Sequence, residues 1–154
     1  MHIYEITHRN PSILSKLLSL WEDTVRATHL FLSHDEIMKI KCYVPQALQE
    51  VPHLIIAEES KGTPLAFMGI ADSQLEMLFV KVNKRGFGIG KKLLTYGIKN
   101  YGLQRVAVNK QNPSAIDFYK KQGFHIYGQS EVDEQGGPYP IVYMKLEKDI
   151  HHHE

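Results

Sequence analysis

Cysteine is almost missing from this 154-residue chain, where Cys42 stands alone. That excludes an intrachain disulfide and a cysteine-built zinc site, and it fits a reducing compartment, with the thiol expected to be buried or half-buried. Net charge is nearly missing too, at +1. A general affinity for nucleic acid or an anionic membrane needs a marked basic excess, so neither partner is expected. Apolar runs such as Leu54-Ile55-Ile56-Ala57 fall far short of the roughly 20 residues that span a bilayer. No basic-then-apolar leader opens the chain, and no repeat or low-complexity stretch interrupts it. These absences describe a cytoplasmic globular protein. The length suits one domain, here 1–148, with 149–154 set apart as a tail that is either native or added.

What is present alternates between two periodicities. His2 to Thr7 reads as a half-buried strand, and Asn10-Pro11 caps a helix whose Leu14, Leu17, Leu18, Trp21 and Val25 form one apolar face. Ser33-His34-Asp35-Glu36 is a capping box, opening a second helix that Pro45 interrupts or bends. Strands are predicted over His53 to Glu58, Pro64 to Ala71 and Gln74 to Val80. Turns at Ser60-Lys61-Gly62-Thr63 and Asp72-Ser73 join them. Beyond Val80 the order changes to helix (about Gly88 to Tyr101), strand (Leu103 to Asn109), helix (Asn112-Pro113 to about Lys121) and two strands (Gly123 to Val132, Tyr139 to Leu146). The sum is an α/β or α+β layer architecture, a mixed and mostly antiparallel sheet with helices on its faces.

The segment most telling of function is Leu78 to Leu94, an apolar strand running into Lys84-Arg85-Gly86-Phe87-Gly88-Ile89-Gly90-Lys91-Lys92 and then an amphipathic helix. Alternate glycines let backbone N–H groups approach a ligand, and the helix dipole favours an anion at the same point. A dinucleotide fingerprint fails because Lys91 occupies the third glycine position. A nucleoside-triphosphate loop fails because Lys92 replaces Ser/Thr and Arg85 stands where its first glycine belongs.

The pattern Arg85-x-x-Gly88-x-Gly90 after a strand resembles the acyl-CoA signature of the Gcn5-related N-acetyltransferases. A second block, Asn109-x-x-Asn112-Pro113-x-Ala115-x-x-Phe118-Tyr119-x-x-x-Gly123-Phe124, resembles that superfamily's other motif in the same order and at a similar separation. Trp21-x-x-Thr24-Val25-x-Ala27-Thr28-His29-x-Phe31-Leu32 and Ser130 to Pro140 are similar to the bacterial YjaB-type acetyltransferases, so the resemblance runs over most of residues 1 to 147. Val82 departs from it, standing where proline is common, and is expected to alter only the entry to the turn.

The resemblance implies acetyl-CoA as cosubstrate. It has the backbone of Phe79 and Val80 pairing with the pantetheine arm, Arg85, Gly86, Phe87, Gly88, Ile89, Gly90 and Lys91 around the pyrophosphate, and Asn112 contacting CoA while capping its helix. Tyr119 then matches the general acid beside the CoA sulfur, a phenol able to donate to a departing thiolate. Glu76 is one candidate base. Strand alternation places it with Leu78 and Val80, opposite Leu75, Met77 and Phe79, as an acid among apolar neighbours. His29 is the other, in a segment where Trp21, Thr28 and Phe31 can wall an acceptor pocket. Glu131, Asp133 and Tyr139 can attract a cationic amine. His29 and His34 lack the four-residue spacing of helical metal ligands, so no metal is expected. The implied reaction is attack of a small-molecule or peptide amine on the thioester in a ternary complex, by a monomer or homodimer. A non-catalytic acyl-CoA sensor and a small nucleic-acid binder using the Lys81 to Lys92 cluster are the rival readings.

Overall fold

The computed structural model of the protein describes residues 1–59 and 62–146. The tail at 149–154, and Ser60 and Lys61 of the first expected hairpin turn, lie outside the described residues. The chain divides into two compact units, Met1–Leu103 and one beginning at Gln104.

In the first unit, β1 (His2–Glu5), β2 (His53–Glu58), β3 (Pro64–Ala71) and β4 (Gln74–Val80) pair antiparallel in that order. The last three occupy the predicted residues. Asp72 and Ser73 both take positive φ, 49° and 67°, the primed turn that matches the twist of a two-residue hairpin. Helix α1 (Pro11–Thr28) begins where the Asn10 carboxamide oxygen accepts from the Ile13 N–H at 3.0 Å. The predicted capping box opens α2 (His34–Lys41): Glu36 N–H donates to Ser33 Oγ at 3.1 Å, and Ser33 N–H donates to Glu36 Oε1 at 2.8 Å. Pro45 does not bend this helix. It sits in the first turn of a separate one, α3 (Val44–Glu50), where a missing N–H costs no hydrogen bond. Cys42 lies in the intervening turn and is exposed, not buried. Helix α4 (Ile89–Tyr101) completes the unit after a 3-10 turn at Val82–Lys84.

One core gathers Leu17, Leu20, Trp21 and Val25 of α1 with Ile37, Leu48, Leu54, Ile56 and Phe67, and Met77 and Phe79 pack against it. The other face of β3 meets α4, where Met68, Ile70 and Leu103 crowd Gly97. Sandwiched this way, β3 is buried along nearly its whole length and shows no polar alternation. The alternation expected for β4 is broken by a bulge. Gly69 faces Met77 while Ile70 faces Leu75, so Glu76 is the extra residue. Leu75 therefore shares the face of Ile70, not that of Met77 and Phe79. Gly69 has no room for a side chain here, since a Cβ would lie 2.8 Å from Met77 Cγ.

The second unit holds β5 (Arg105–Asn109), α5 (Pro113–Lys121), β6 (Phe124–Ser130) and β7 (Ile141–Leu146), with β7 between β5 and β6 and antiparallel to both. Asn112 caps α5 through the Ala115 N–H at 3.3 Å. Phe124 and the buried residues Val106, Val108, Val142 and Met144 join Tyr119 in its interior.

Candidate active site

The glycine-rich turn is built to leave donors unoccupied by side chains. Gly86 and Gly88 take φ of 87° and 78°, a left-handed conformation that costs other residues about 1–2 kcal/mol, and nothing lies within 4 Å of the Cβ either would carry. Gly88 is the N-cap of α4. Where α1, α2 and α5 begin with a side-chain cap, α4, like the short α3, has none, and no acid stands in its first turn. Its leading N–H groups and dipole are thus presented to an anion. Arg85, Phe87 and Lys91 are exposed around it, and Gly90 lies in the first turn of α4. Ile89 is only 6% exposed, so its side chain belongs to the core and its backbone alone faces a ligand. Val82, 42% exposed, starts the 3-10 turn that leads in from β4.

The two residues expected to carry the pantetheine arm are not equivalent. Lys81 N–H donates to the Leu65 carbonyl at 2.8 Å, and the register puts Phe79 opposite Phe67 and Val80 opposite Ala66. Antiparallel alternation then directs the Phe79 backbone to β3 and turns the Val80 N–H and C=O away from it. The Phe79 ring packs against Phe67 with centroids 5.5 Å apart.

His29 is tied to this strand end through α1. Thr24, buried although polar, has its Oγ 2.8 Å from the Leu20 carbonyl and 3.3 Å from the Val80 carbonyl. Thr28 Oγ lies 2.8 Å from the Thr24 carbonyl and 2.8 Å from His29 Nδ1. Desolvation holds the His29 ring below the ordinary imidazole pKa, so it is neutral at neutral pH. Its ring lies against Phe31, centroids 5.5 Å apart. Trp21 does not wall a pocket beside it, because its indole is spent in the core. Glu76, at the bulge, is exposed and not enclosed among apolar neighbours.

A cleft of about 490 Å³ opens beside the same turn, between α1 and the start of β3, with Ser19, Thr24, Thr63, Lys81, Val82 and Asn83 among its lining. Sequence reading missed it, since its walls come from segments far apart in the chain and carry no motif.

In the second unit, Tyr119 is buried with its ring edge-on to Phe118 and Phe124, centroids 5.1 and 5.8 Å away. Burial pushes the phenol above its ordinary pKa. Its hydroxyl has no hydrogen-bond partner among the described residues. Asp133 serves its own turn, accepting from the Gln135 and Gly137 N–H groups at 2.9 and 2.7 Å. Among the described residues no group of three His, Cys, Asp or Glu could hold a metal ion, and no helix is long and apolar enough to cross a membrane.

A family model described as an acetyltransferase (GNAT) domain matches residues 32–148. The peptidyl-lysine N-acetyltransferase YjaB of Salmonella typhimurium is 38% identical over 129 residues, 84% of this chain and 88% of that protein. The solution structure of apo-form YjaB from Escherichia coli covers 97% of this chain and all of its own, with a TM-score of 0.85 and 32% identity. The crystal structure of PaiA N-acetyltransferase from Thermoplasma acidophilum, in complex with coenzyme A, shares the fold at a TM-score of 0.67 and 22% identity, over 94% of this chain and 99% of that one. The chain belongs to the GNAT acetyltransferase family. It is an enzyme that transfers an acetyl group to an amine, on the mostly antiparallel α/β fold expected from its sequence.

Proposed function

We propose that the protein transfers the acetyl group of acetyl-CoA to the side-chain amine of a lysine in a peptide or protein acceptor, in a ternary complex without a covalent enzyme intermediate. The observation that carries the cosubstrate is the uncapped, glycine-opened N-terminus of α4 immediately after β4. The diphosphate rests on the N–H groups from Gly86 to Lys91 with Arg85 beside it, and the pantetheine amides bond to the Val80 backbone. The lysine acceptor is supported by the name of the YjaB relatives, peptidyl-lysine N-acetyltransferase.

The chemistry needs three proton movements. A base removes one proton from the lysine ammonium. The neutral nitrogen then attacks the thioester carbonyl, the C–N bond forms and the C–S bond breaks, an acid donates to the departing thiolate, and the second proton shed by the nitrogen as it becomes the amide replaces the one the acid gives up. His29 is the base, for it is neutral at the working pH and its ring is held by the Thr28 hydroxyl at the end of α1. Tyr119 is the acid, kept protonated by burial with its hydroxyl unclaimed by any described residue. Glu76 is the second reading for the base, favoured by its place at a bulge, a feature that often re-aims a side chain beside an active site.

In this reading residues 1–148 act as one cytoplasmic catalytic domain without a metal. Calorimetric titration with acetyl-CoA, with dephospho-CoA, NADH and ATP as controls, followed by mass spectrometry of lysine peptides, tests the proposal. Selective micromolar binding and a mass gain on lysine are expected. A folded protein that binds no acetyl-CoA overturns the reading at the α4 turn. Acetylation confined to small amines or N-terminal α-amines overturns the lysine assignment.

A further inference from the structure

The Thr28 hydroxyl has one proton and two neighbours at 2.8 Å, the Thr24 carbonyl oxygen and His29 Nδ1. Only one arrangement satisfies both contacts. If the hydroxyl donated to Nδ1, its oxygen would face the carbonyl oxygen at 2.8 Å with no proton between two acceptors, which is repulsive. Donating to the Thr24 carbonyl instead leaves the hydroxyl oxygen to accept, and Nδ1 must then carry the hydrogen. From this geometry we infer that Thr28 is a positioning residue that locks neutral His29 in its Nδ1–H tautomer and leaves Nε2 as the basic nitrogen.

The inference deepens the assignment of His29 as base and rests on it for its functional meaning, while the tautomer itself stands or falls alone. Its consequence is mechanical. The Nδ1–H bond to Thr28 is the same in the neutral and the protonated ring, so a proton can arrive at and leave Nε2 with no ring flip and no exchange of partners. Thr28 lies in the last turn of α1 and His29 is its C-cap, with the His29 N–H donating to the Val25 carbonyl at 2.8 Å. The backbone of the base is therefore fixed by the helix end, and the ring by the preceding side chain. Thr24 supports the ring through its backbone carbonyl alone, since its hydroxyl proton goes to the Leu20 carbonyl at 2.8 Å and its Oγ only lies against the Val80 carbonyl at 3.3 Å.

The test is 15N NMR of the imidazoles at about pH 8, where an unprotonated ring reports its tautomer directly. The His29 signal is assigned by its loss in His29→Gln. Wild type is expected to show a protonated, pyrrole-type Nδ1 and a pyridine-type Nε2. Thr28→Val, which keeps the shape and removes the acceptor, is expected to release the ring toward the Nε2–H form. It should also lower kcat/KM about 10-fold, in line with other orienting partners, without moving the KM for acetyl-CoA. Thr28→Ser is expected to restore both. An Nε2–H ring in wild type overturns the inference, and so does an Nδ1–H ring that survives Thr28→Val. Should the valine variant misfold, the wild-type spectrum and the serine variant still decide. If the tautomer is as inferred but His29→Gln leaves kcat/KM untouched, the base assignment fails and the tautomer lock remains as structure alone.

Discussion

Replacing Tyr119 by phenylalanine removes one oxygen and nothing else that the fold uses. The ring contacts with Phe118 and Phe124 remain, and the hydroxyl has no described partner whose bonding would be broken, so stability should change by less than about 0.5 kcal/mol. The effect on turnover is larger and bounded. Burial raises the phenol above its ordinary value, whereas a departing thiolate has a pKa near 8.5. Complete proton transfer from tyrosine to sulfur is therefore uphill, and the phenol acts mainly by donating a charge-assisted hydrogen bond as the C–S bond breaks. Such a bond is worth about 1.5–3 kcal/mol, which converts to a loss of roughly one to two decades in kcat at about 1.4 kcal/mol per decade. The assay is single-turnover acetyl transfer to a lysine peptide, with acetyl-CoA affinity measured separately and expected to stay within about twofold. Unchanged turnover would remove Tyr119 from the mechanism. A loss of four decades or more would equally refute the reasoning, since a hydrogen bond to sulfur cannot supply it.

Gly88→Ala meets no steric clash but must hold φ near 78°, a strain of about 1–2 kcal/mol. Melting should fall by about 2–8 °C. Where the turn relaxes instead, the Kd for acetyl-CoA should rise about 5- to 30-fold; affinity and melting both unaltered refute the reasoning. Tyr101→Phe deletes a 2.6 Å hydrogen bond to Glu5 Oε1 at a half-buried position. It should cost about 1 kcal/mol in denaturant unfolding with acetyl transfer unchanged, after discounting for solvent. Desolvation pushes the Glu5 carboxyl up, but the hydrogen bonds from Tyr101 and His53 outweigh it and hold the group below its ordinary value. Glu5 thus stabilises the fold above that ordinary value, a contribution lost as pH falls through the folded one. In Tyr101→Phe the folded value rises, so the acid loss should be smaller and finish at a higher pH, and an unmoved acid transition refutes the coupling.

Much of this was legible because local chemistry and tertiary packing agree. Asn10, Ser33, Glu36 and Asn112 cap the helices their spacing predicts, and β2, β3 and β4 end at their turn residues. The α4 cradle is legible for the same reason, being a local turn read from contiguous residues. The misses are non-local. The bulge at Glu76 depends on Met77 lying over Gly69, a contact across the hairpin that strict alternation cannot foresee, and it moved Leu75 to the other face. Trp21 looked like a pocket wall because it shares a motif with His29, yet it stands eight positions earlier in the helix and its ring faces the core. The role of Thr28 needed coordinates, since nothing in a Thr-His pair says which atom holds the proton.

Burial acts in opposite senses on the two groups proposed to move protons, and that contrast governs the pH behaviour. It disfavours the charged form of each, lowering the cationic acid His29 below its ordinary value of about 6.5 and raising the neutral acid Tyr119 above about 10. Between those bounds His29 has no proton and Tyr119 has one, the pair of states that acetyl transfer needs. The enzyme's own groups should therefore give kcat/KM a plateau from about pH 6.5 to 10, with the acidic limb below about 6.5. Stability follows the same group with a definite sign. Between the folded pKa of His29 and about 6.5 the unfolded chain binds more protons, so stability rises with pH across that window and is lost as pH falls through it. His29→Gln should abolish the acidic limb and flatten that stability slope together. A limb that stays in place in His29→Gln but shifts in Glu76→Gln assigns the base to the bulge on β4. The flattening of the stability slope would remain, since it needs only that the ring be desolvated.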